Sequence, residues 1–376
     1  MAMRANIRVG RLGAALAALV LAEGDPRAQD FMPLFNGRDL SGWVEMVKPG
    51  GFVVEDGVLV LKNPRNYPNW LRTEKEYENF VLRLEYLMTG WCETGVFLHA
   101  PLYGDLAQSG LRIHLRHDRT DEGSRSTGGI YDVAPPLARA NKPANEWNAL
   151  EIHMDWPVLR VNLNDVLIQD VNLEVSDALR WKARRGYIGL DDLNCRIRYR
   201  NIQIRELPEK ERKWISLCNG KDLKGWTAEG NVLWVVEEGN IIGSNGDGFL
   251  FTEESFGAFE FRTYFRTTPH ANGGIIYRRS SANRPGYEIQ VYNVPGATNP
   301  TGSIYGLVGA NSVPCRDGEW CELRFVSDGA YTGVWVNGRK VAESHGLTLP
   351  DQGRIGLQMH SEGRIEYLNP KIRPLR

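Results

Sequence analysis

Four polar residues alternate with apolar ones in the segment LRIHLRHD, at residues 111–118. Arg112, His114, Arg116 and Asp118 stand at even spacing, so a regular β-strand places their side chains on one face. A histidine between two arginines brings a base that titrates near neutral pH together with cations. The solvated side of an ordinary strand has the same pattern, and both interpretations stay open at this point.

The chain carries this segment within an internal duplication. LFNGRDLSGW (34–43) returns as LCNGKDLKGW (217–226), TGGIY (127–131) as TGSIY (301–305), and GYIGL (186–190) as GRIGL (353–357). The charged stretch LPEKERK (207–213) separates the copies and is typical of a linker. We therefore predict two domains, at residues 31–206 and 214–376, called the first and second repeat.

Short alternating runs predict the fold of each repeat. FVLRLEYLM (80–88) and LEIHMDW (150–156) alternate apolar and polar residues, as YEIQVYN (287–293) does in the second copy. Such runs indicate half-buried antiparallel strands, and Gly, Asn, Asp or Pro separates them. The pattern predicts an all-β protein made of two tandem sandwiches or jelly rolls.

Composition and the N-terminus narrow the class of protein. The formal net charge is −1 without a basic stripe, so nucleic acid and anionic membranes are poor candidates as partners. Arg4, Arg8 and Arg11 precede the apolar run 12–22, which is too short to span a bilayer. We expect residues 1–22 to be a signal peptide and the mature protein to be periplasmic or secreted, without a membrane span; a frayed apolar N-terminus is the alternative.

The five cysteines show no CxxC pair or metal-ligand spacing, which argues against a structural zinc site. Cys315 and Cys321 are close enough in sequence to pair. Buried, unpaired cysteines are the default expectation.

Several single residues are candidates for sugar contacts. Tyr131 and Tyr305 close the repeated Thr-Gly-x-Ile-Tyr motif, although a tyrosine that caps a loop is an equal alternative. Lys142 precedes a proline in a loop where packing needs no cation. His360 in LQMHSEG is a candidate to line the same face in the second repeat, with a histidine on a surface loop as the alternative. Trp91, which has no counterpart there, is a candidate for stacking on a sugar.

The ordered motifs resemble the 3-keto-disaccharide hydrolase domain family, formerly a domain of unknown function in secreted bacterial proteins. The matching stretches include LFNGRDLSGW, ETGVFLH, TGGIYDVAPPLARANKPANEWN, NGGIIYR, YEIQVYN and GRIGLQMH. The resemblance covers nearly all of residues 33–376. It implies two tandem concanavalin A-like jelly-roll sandwiches and a carbohydrate substrate.

Neither repeat carries the whole family pattern. The first keeps Lys142 but has Glu93, His99 and LRIH where the family has Asn, Arg and Tyr-Glu-Val-Gln. The second keeps the family-like residues but has Cys315 in place of the lysine. These family-like residues are Asn272, Arg278, Glu288, Gln290 and His360.

The chemistry that the resemblance implies begins at a sugar carbonyl. A ketone at C3 acidifies the hydrogen on C2, so a base can form an enolate and expel the group on C1, after which water adds back. The first repeat supplies His114 or His99 as base and Lys142 or Arg112 as electrophile, with Tyr131 beside them. A divalent ion held by His99, His114, Glu93 or Asp191 is compatible with this chemistry. No GxGxxG follows a strand, so we expect no nicotinamide cofactor.

We therefore predict an exported enzyme that cleaves 3-keto-glycosides, with the first repeat catalytic. The second repeat is predicted to bind or support. The predicted binding residues are Trp91, Glu93, Asp118, Asp191, Asn272, Arg278, Glu288, Gln290, Tyr305 and His360. Two alternatives stay open: a non-catalytic carbohydrate-binding tandem, and a glycoside hydrolase of the lectin/glucanase type with paired carboxylates.

Overall fold

The computed structural model describes residues 30–46, 50–62, 69–117, 122–193, 196–280, 286–349, 352–360 and 362–375. The expected signal peptide and Asp118 lie outside these residues. Within them, twenty-six strands form four antiparallel sheets, two in each repeat. No helix in these ranges is long and apolar enough to cross a membrane.

The described part of the first repeat contains thirteen strands and one short helix. They are β1 (Met32–Pro33), β2 (Trp43–Glu45), β3 (Phe52–Glu55), β4 (Val58–Leu61), β5 (Asn69–Thr73), β6 (Phe80–Met88), β7 (Glu93–Ala100), α1 (Leu106–Ser109), β8 (Leu111–Arg116), β9 (Asn148–Asp155), β10 (Val158–Leu163), β11 (Val166–Asn172), β12 (Tyr187–Asp192) and β13 (Ile197–Glu206). Short 3-10 turns lie at Gly123–Arg125 and Leu173–Val175.

The second repeat contains thirteen strands in its described residues. They are β14 (Ile215–Ser216), β15 (Trp226–Gly230), β16 (Leu233–Glu237), β17 (Asn240–Ser244), β18 (Gly248–Phe256), β19 (Phe259–Thr267), β20 (Asn272–Arg279), β21 (Tyr287–Val291), β22 (Cys321–Asp328), β23 (Tyr331–Val336), β24 (Arg339–Ser344), β25 (Gly353–His360) and β26 (Arg364–Pro374).

The two repeats have the same topology. Each has a large sheet, ordered β11-β10-β9-β6-β13-β4-β3 in the first and β24-β23-β22-β19-β26-β17-β16 in the second. Each also has a small sheet of five strands, ordered β2-β5-β12-β7-β8 and β15-β18-β25-β20-β21. The prediction of two tandem concanavalin A-like jelly-roll sandwiches is confirmed.

Each sandwich has its own hydrophobic core. In β6 the alternating residues Leu82, Leu84 and Tyr86 are buried, as the period-two pattern of the segment predicts. Phe261, Phe265 and other side chains fill the second core, and among the described residues no buried side chain belongs to both clusters. The domain boundaries and the independent folding of the halves stay predictions.

A β-bulge recurs at one place in both small sheets. In the first repeat β7 passes β12 with an extra residue, and His99 has a φ of +54°. In the second repeat β20 passes β25 in the same way, with Arg278 at +58°. A bulge interrupts the alternation of faces, so the side chain there no longer follows its strand neighbours.

Charged groups join the two repeats through the outer face of the second large sheet. Arg262 Nε on β19 lies 2.6 Å from Glu322 on β22, and both side chains are buried. Ser109 of the first repeat donates a hydrogen bond to the same carboxylate, and Leu102 N donates to Tyr264 Oη at 2.7 Å. Hydrogen bonds therefore cross the junction between the repeats, and the rings of Tyr103 and Trp320 also stack across it with centroids 5.7 Å apart.

Candidate functional site

The small sheet of each repeat presents one polar face, here called the first face and the second face. Strand register aligns them residue by residue: Arg112 with Glu288, His114 with Gln290, Glu93 with Asn272, and Asp191 with Gln358. The duplication has therefore placed different chemistry on the same scaffold.

The side chains of the first face are paired with one another. Arg112 Nη2 lies 3.1 Å from Asp191 Oδ2, and both side chains are almost fully buried. His114 Nε2 lies 3.5 Å from Glu93 Oε1. The His114 side chain is 0% exposed, whereas that of Glu93 is 29% exposed.

Tyr131 lies over this cluster. Its ring centroid is 4.6 Å from the Arg112 guanidinium carbon and 5.2 Å from the His114 ring. The Tyr131 N–H donates to the Arg112 carbonyl at 2.9 Å, which fixes the TGGIY turn against β8. A sugar therefore cannot reach the imidazole of His114 without displacing its neighbours.

The bulge removes His99 from the predicted cluster. Its ring nitrogens lie 2.9 Å from the Ala183 carbonyl and 2.6 Å from the Glu78 carbonyl, and the ring is fully buried. Burial lowers the pKa of His99 to about 4, although the two carbonyls act in the opposite direction. Both ring nitrogens lie against backbone carbonyls and the ring is sealed from solvent, so His99 is not placed to act as a base on substrate.

Arg278, at the equivalent bulge, is a structural residue of the same kind. Its Nε donates to Ser327 Oγ at 2.9 Å, and its Nη2 donates to the Gly329 carbonyl. The side chain is 1% exposed. The predicted role of Arg278 in binding sugar hydroxyls therefore does not match its position.

Lys142 also serves its own loop. Its Nζ donates to the Trp147 carbonyl at 3.0 Å, and its backbone N–H donates to Asn148 Oδ1 at 2.8 Å. The motif alignment pairs Lys142 and Asn148 with Cys315 and Cys321, which form a disulfide. The second repeat thus has a covalent link where the first has a hydrogen bond, and the default expectation of unpaired cysteines is wrong for this pair.

Trp91 lies apart from the paired cluster of the first face. Its side chain is 73% exposed, and its ring lies 5.6 Å from that of His117. An exposed indole of this kind is free to stack on a sugar. The role of Trp91 in sugar stacking stays a prediction.

The predicted metal ligands do not form a metal site. Among the described residues, no group of three or more His, Cys, Asp or Glu side chains is arranged to hold a metal ion. The four side chains predicted as ligands do not converge on one point; they are His99, His114, Glu93 and Asp191. We derive no step through a metal.

The second face presents one carboxyl group, that of Glu288, which differs from the paired carboxylates of the first face. Glu288 is half-buried on β21, and its side chain lies over Gly274, where a Cβ would be 2.5 Å from Glu288 Oε1. Burial raises the pKa of Glu288 to about 7. No ion pair joins its carboxylate to any residue in the described ranges, so the group can exchange a proton near neutral pH.

Hydrogen-bonding groups surround Glu288 on the neighbouring strands. Gln290 Nε2 donates to Asn272 Oδ1 at 2.7 Å, which leaves the Asn272 amide N–H groups available as donors. His360 is opposite Asn272 in the register, and its Nδ1 lies 2.5 Å from Asp247 Oδ1. This contact orients the imidazole so that Nε2 is presented away from Asp247.

Tyr305 stands where Tyr131 stands in the first repeat, but it is 54% exposed. Its N–H donates to the Glu288 carbonyl at 2.9 Å. The aromatic ring therefore borders the second face without closing it.

A pocket of about 370 Å³ adjoins these groups at β18 and β25. Phe249, Gln358 and His360 line it. Glu288 lies outside the pocket, on the other side of β20. The pocket therefore extends the second face away from the carboxyl group.

Sequence reasoning missed three residues beside this pocket, namely Phe249, Gln358 and Asp247. Alignment of the repeats offered a signal for two of them. Phe249 and Gln358 pair across their strands as Trp70 and Asp191 do in the first repeat. Since Asp191 was already a candidate, its aligned partner could have been named as well.

A larger cleft, the junction cleft, lies between the repeats. Its volume is about 810 Å³, and its walls include Arg112, Tyr131 and Asp191 of the first repeat and Arg316 and Arg339 of the second. The groups that the sequence placed in a catalytic site thus face a surface built by both halves of the chain.

Comparison with known proteins gives a family and distant structural likenesses. A family model described as the 3-keto-alpha-glucoside-1,2-lyase-like domain matches residues 30–205 and 213–373. A "putative glycosyl hydrolase" from Parabacteroides distasonis ATCC 8503 is 22% identical with a TM-score of 0.43, over 48% of this chain and 96% of that one. Carbohydrate-binding module CBM66 from Bacillus subtilis is 17% identical with a TM-score of 0.33, over 40% of this chain and 95% of that one. No curated protein matches the chain. Because the two matched segments take in most of the sequence, both halves of this carbohydrate-active protein belong to the 3-keto-alpha-glucoside-1,2-lyase-like domain family.

Proposed function

We propose that the protein cleaves 3-keto-glycosides by elimination followed by hydration, and that Glu288 on the second face is the base. One observation carries this choice of site. Glu288 is accessible and has a pKa of about 7, whereas His114, its main rival, is fully buried. A general base works best when its pKa is close to the working pH and it can touch the proton.

The proposed reaction has three steps. The Glu288 carboxylate takes the proton from C2 of the sugar, and the electron pair moves into an enolate whose negative charge rests on the C3 oxygen. The enolate re-forms the ketone as the bond between C1 and the glycosidic oxygen breaks, and the leaving oxygen takes a proton. Water then adds across the C1–C2 double bond, with its oxygen on C1 and a proton on C2, so the net reaction is hydrolysis.

The other groups of the second face suit binding rather than proton removal. Asn272 supplies amide N–H donors for oxygens of the sugar. One such oxygen is the C3 oxygen, on which the negative charge of the enolate develops. His360, held by Asp247, supplies a second donor or acceptor beside the pocket. The half-buried ring of Phe249 offers an apolar surface for a sugar ring.

Product analysis with 3-keto-disaccharides and their unoxidised parents tests the proposal. The wild type should cleave only the keto forms. Glu288→Gln keeps the shape of the side chain but cannot accept the proton, so the rate should fall at least about a hundredfold. His114→Gln, which removes the rival base from the first face, should leave the rate close to that of the wild type.

Each other outcome has a distinct meaning. Loss of activity in His114→Gln with an active Glu288→Gln would return the site to the first repeat. Cleavage of the unoxidised parents would favour a glycoside hydrolase with paired carboxylates, and binding without turnover would favour a carbohydrate-binding tandem.

We also propose that the protein works outside the cytoplasm. Cys92 is disulfide-bonded, as are Cys315 and Cys321. Disulfides persist in oxidising compartments, which supports the export expected from residues 1–22. Mass spectrometry of the protein from its native host should find a mature terminus near Glu23; an intact Met1 in a cytosolic fraction would contradict export.

A further inference from the structure

The junction cleft is a cavity that the proposed reaction does not use. Its volume of about 810 Å³ is within the range of roughly 300–1,000 Å³ that is usual for small-molecule sites. One wall is part of the first face and the other comes from the second repeat, so the cleft exists only where both repeats are present.

The wall from the first repeat carries a hydrogen-bond donor whose charge is already balanced. The Arg112 guanidinium is paired with Asp191 and lies against Tyr131. Arg112 and Asp191 both line the cleft, so their charges are already matched before a ligand enters. A neutral ligand with oxygen acceptors suits this wall better than a second carboxylate, which would compete with Asp191.

The wall from the second repeat is held in place by close backbone contacts. A Cβ on Gly338 would lie 2.2 Å from Ser109 N, and a Cβ on Gly104 would lie 2.5 Å from Asn337 Oδ1. Asn337 also donates through Nδ2 to the Pro314 carbonyl at 2.5 Å. These contacts fix the width of the cleft before a ligand arrives, which lowers the entropic cost of binding.

Among the described residues that line the cleft, the charges balance in number. Its cationic residues are Arg112, Arg316 and Arg339, and its anionic residues are Asp105, Asp191 and Glu319. A lining of this kind favours a polar but uncharged ligand over an anion or a cation.

We propose that the junction cleft is a second carbohydrate site, which binds a neutral sugar chain without cleaving it. The choice of a sugar as ligand rests on the proposed function, whereas the position of the site rests on the lining residues alone. Such a site would hold part of a glycan while the second face acts on it or on a neighbouring chain.

Calorimetric titration of the full chain tests the cleft. The protein carries Glu288→Gln to prevent turnover, and the probes are sucrose, maltose and cellobiose, with a glucuronic acid-containing disaccharide as the charged comparison. At least one neutral disaccharide should bind at two sites per chain. Arg112→Gln should weaken one site at least about tenfold, whereas Phe249→Ala should weaken only the other.

Arg339→Ala keeps the test valid if Arg112→Gln does not fold, because Arg339 is exposed and lines the opposite wall. It should weaken the same site as Arg112→Gln. The proposal is overturned if no neutral disaccharide binds, if both arginine variants bind as the parent protein does, or if only the charged disaccharide occupies the cleft. Cleavage by the wild type without a second site would refute the cleft alone, and cleft binding without cleavage would refute the proposed function alone.

Discussion

Replacement of Glu288 by Gln should stabilise the protein at alkaline pH and have little effect on stability at acidic pH. Burial raises the pKa of the folded carboxyl from the ordinary 4.5 to about 7. Between these values the folded protein keeps a proton that the unfolded chain has lost. The free energy of unfolding therefore falls as pH rises through this window.

The magnitude follows from the size of the pKa difference. The interval from 4.5 to about 7 is about 2.5, and one pKa unit corresponds to about 1.4 kcal/mol, so the ionised carboxylate costs at most about 3–4 kcal/mol above pH 7. Below pH 4.5 the cost is absent, because the carboxyl is protonated in both states. The glutamine side chain of the variant has no ionisable group, so this loss of unfolding free energy is absent at every pH.

Urea unfolding, followed by tryptophan fluorescence at pH 5, 6, 7 and 8.5, measures this difference. The gap between Glu288→Gln and the wild type should widen with pH and level off above about 8. Glu343→Gln is a control, because a hydrogen bond from Lys340 lowers the pKa of Glu343; its gap should have the opposite sign and stay constant from pH 5 to 8.5. A gap for Glu288→Gln that does not change with pH would show that this carboxyl is not desolvated, and it would remove the main support for Glu288 as the base.

Three further predictions test the same structure. The cleavage rate of the wild type should rise with pH through about 7, because the base must be ionised; a flat profile from pH 5 to 9 would contradict Glu288 as the base. Gly274→Ala should lower the rate about a hundredfold, since its Cβ would lie 2.5 Å from Glu288 Oε1, whereas Gly95→Ala at the equivalent place should keep it; equal rates would place the chemistry elsewhere. Glu322→Gln should lower the free energy of unfolding by about 3–5 kcal/mol, because Arg262 stays buried without its carboxylate; an unchanged urea midpoint would mean that the junction adds no stability.

The strands and the duplication could be predicted from the sequence because they depend on local patterns. The alternation in FVLRLEYLM places every second side chain in the core, whatever lies beyond the strand. The repeated motifs likewise predicted two sandwiches and the family to which the chain belongs.

The candidate site could be predicted only in part. The even spacing of Arg112 and His114 correctly placed them on one face, and the alignment of Glu288 with Arg112 is also visible in the structure. The alternation could not show the bulge at His99 and Arg278, because neither residue is the glycine that usually marks a positive φ. Both side chains therefore left the face on which a regular strand would have put them.

Accessibility and the junction cleft depend on how the whole chain packs. His114 is closed off by Tyr131 and Glu93, whereas Glu288 stays open and is desolvated enough to hold a proton near pH 7. These differences arise from contacts between residues far apart in the chain, and the cleft needs the second large sheet to pack on the first repeat. The order of residues along each strand sets which side chains a face carries. Which of them meets solvent is set by packing, because burial depends on what distant segments place above that face.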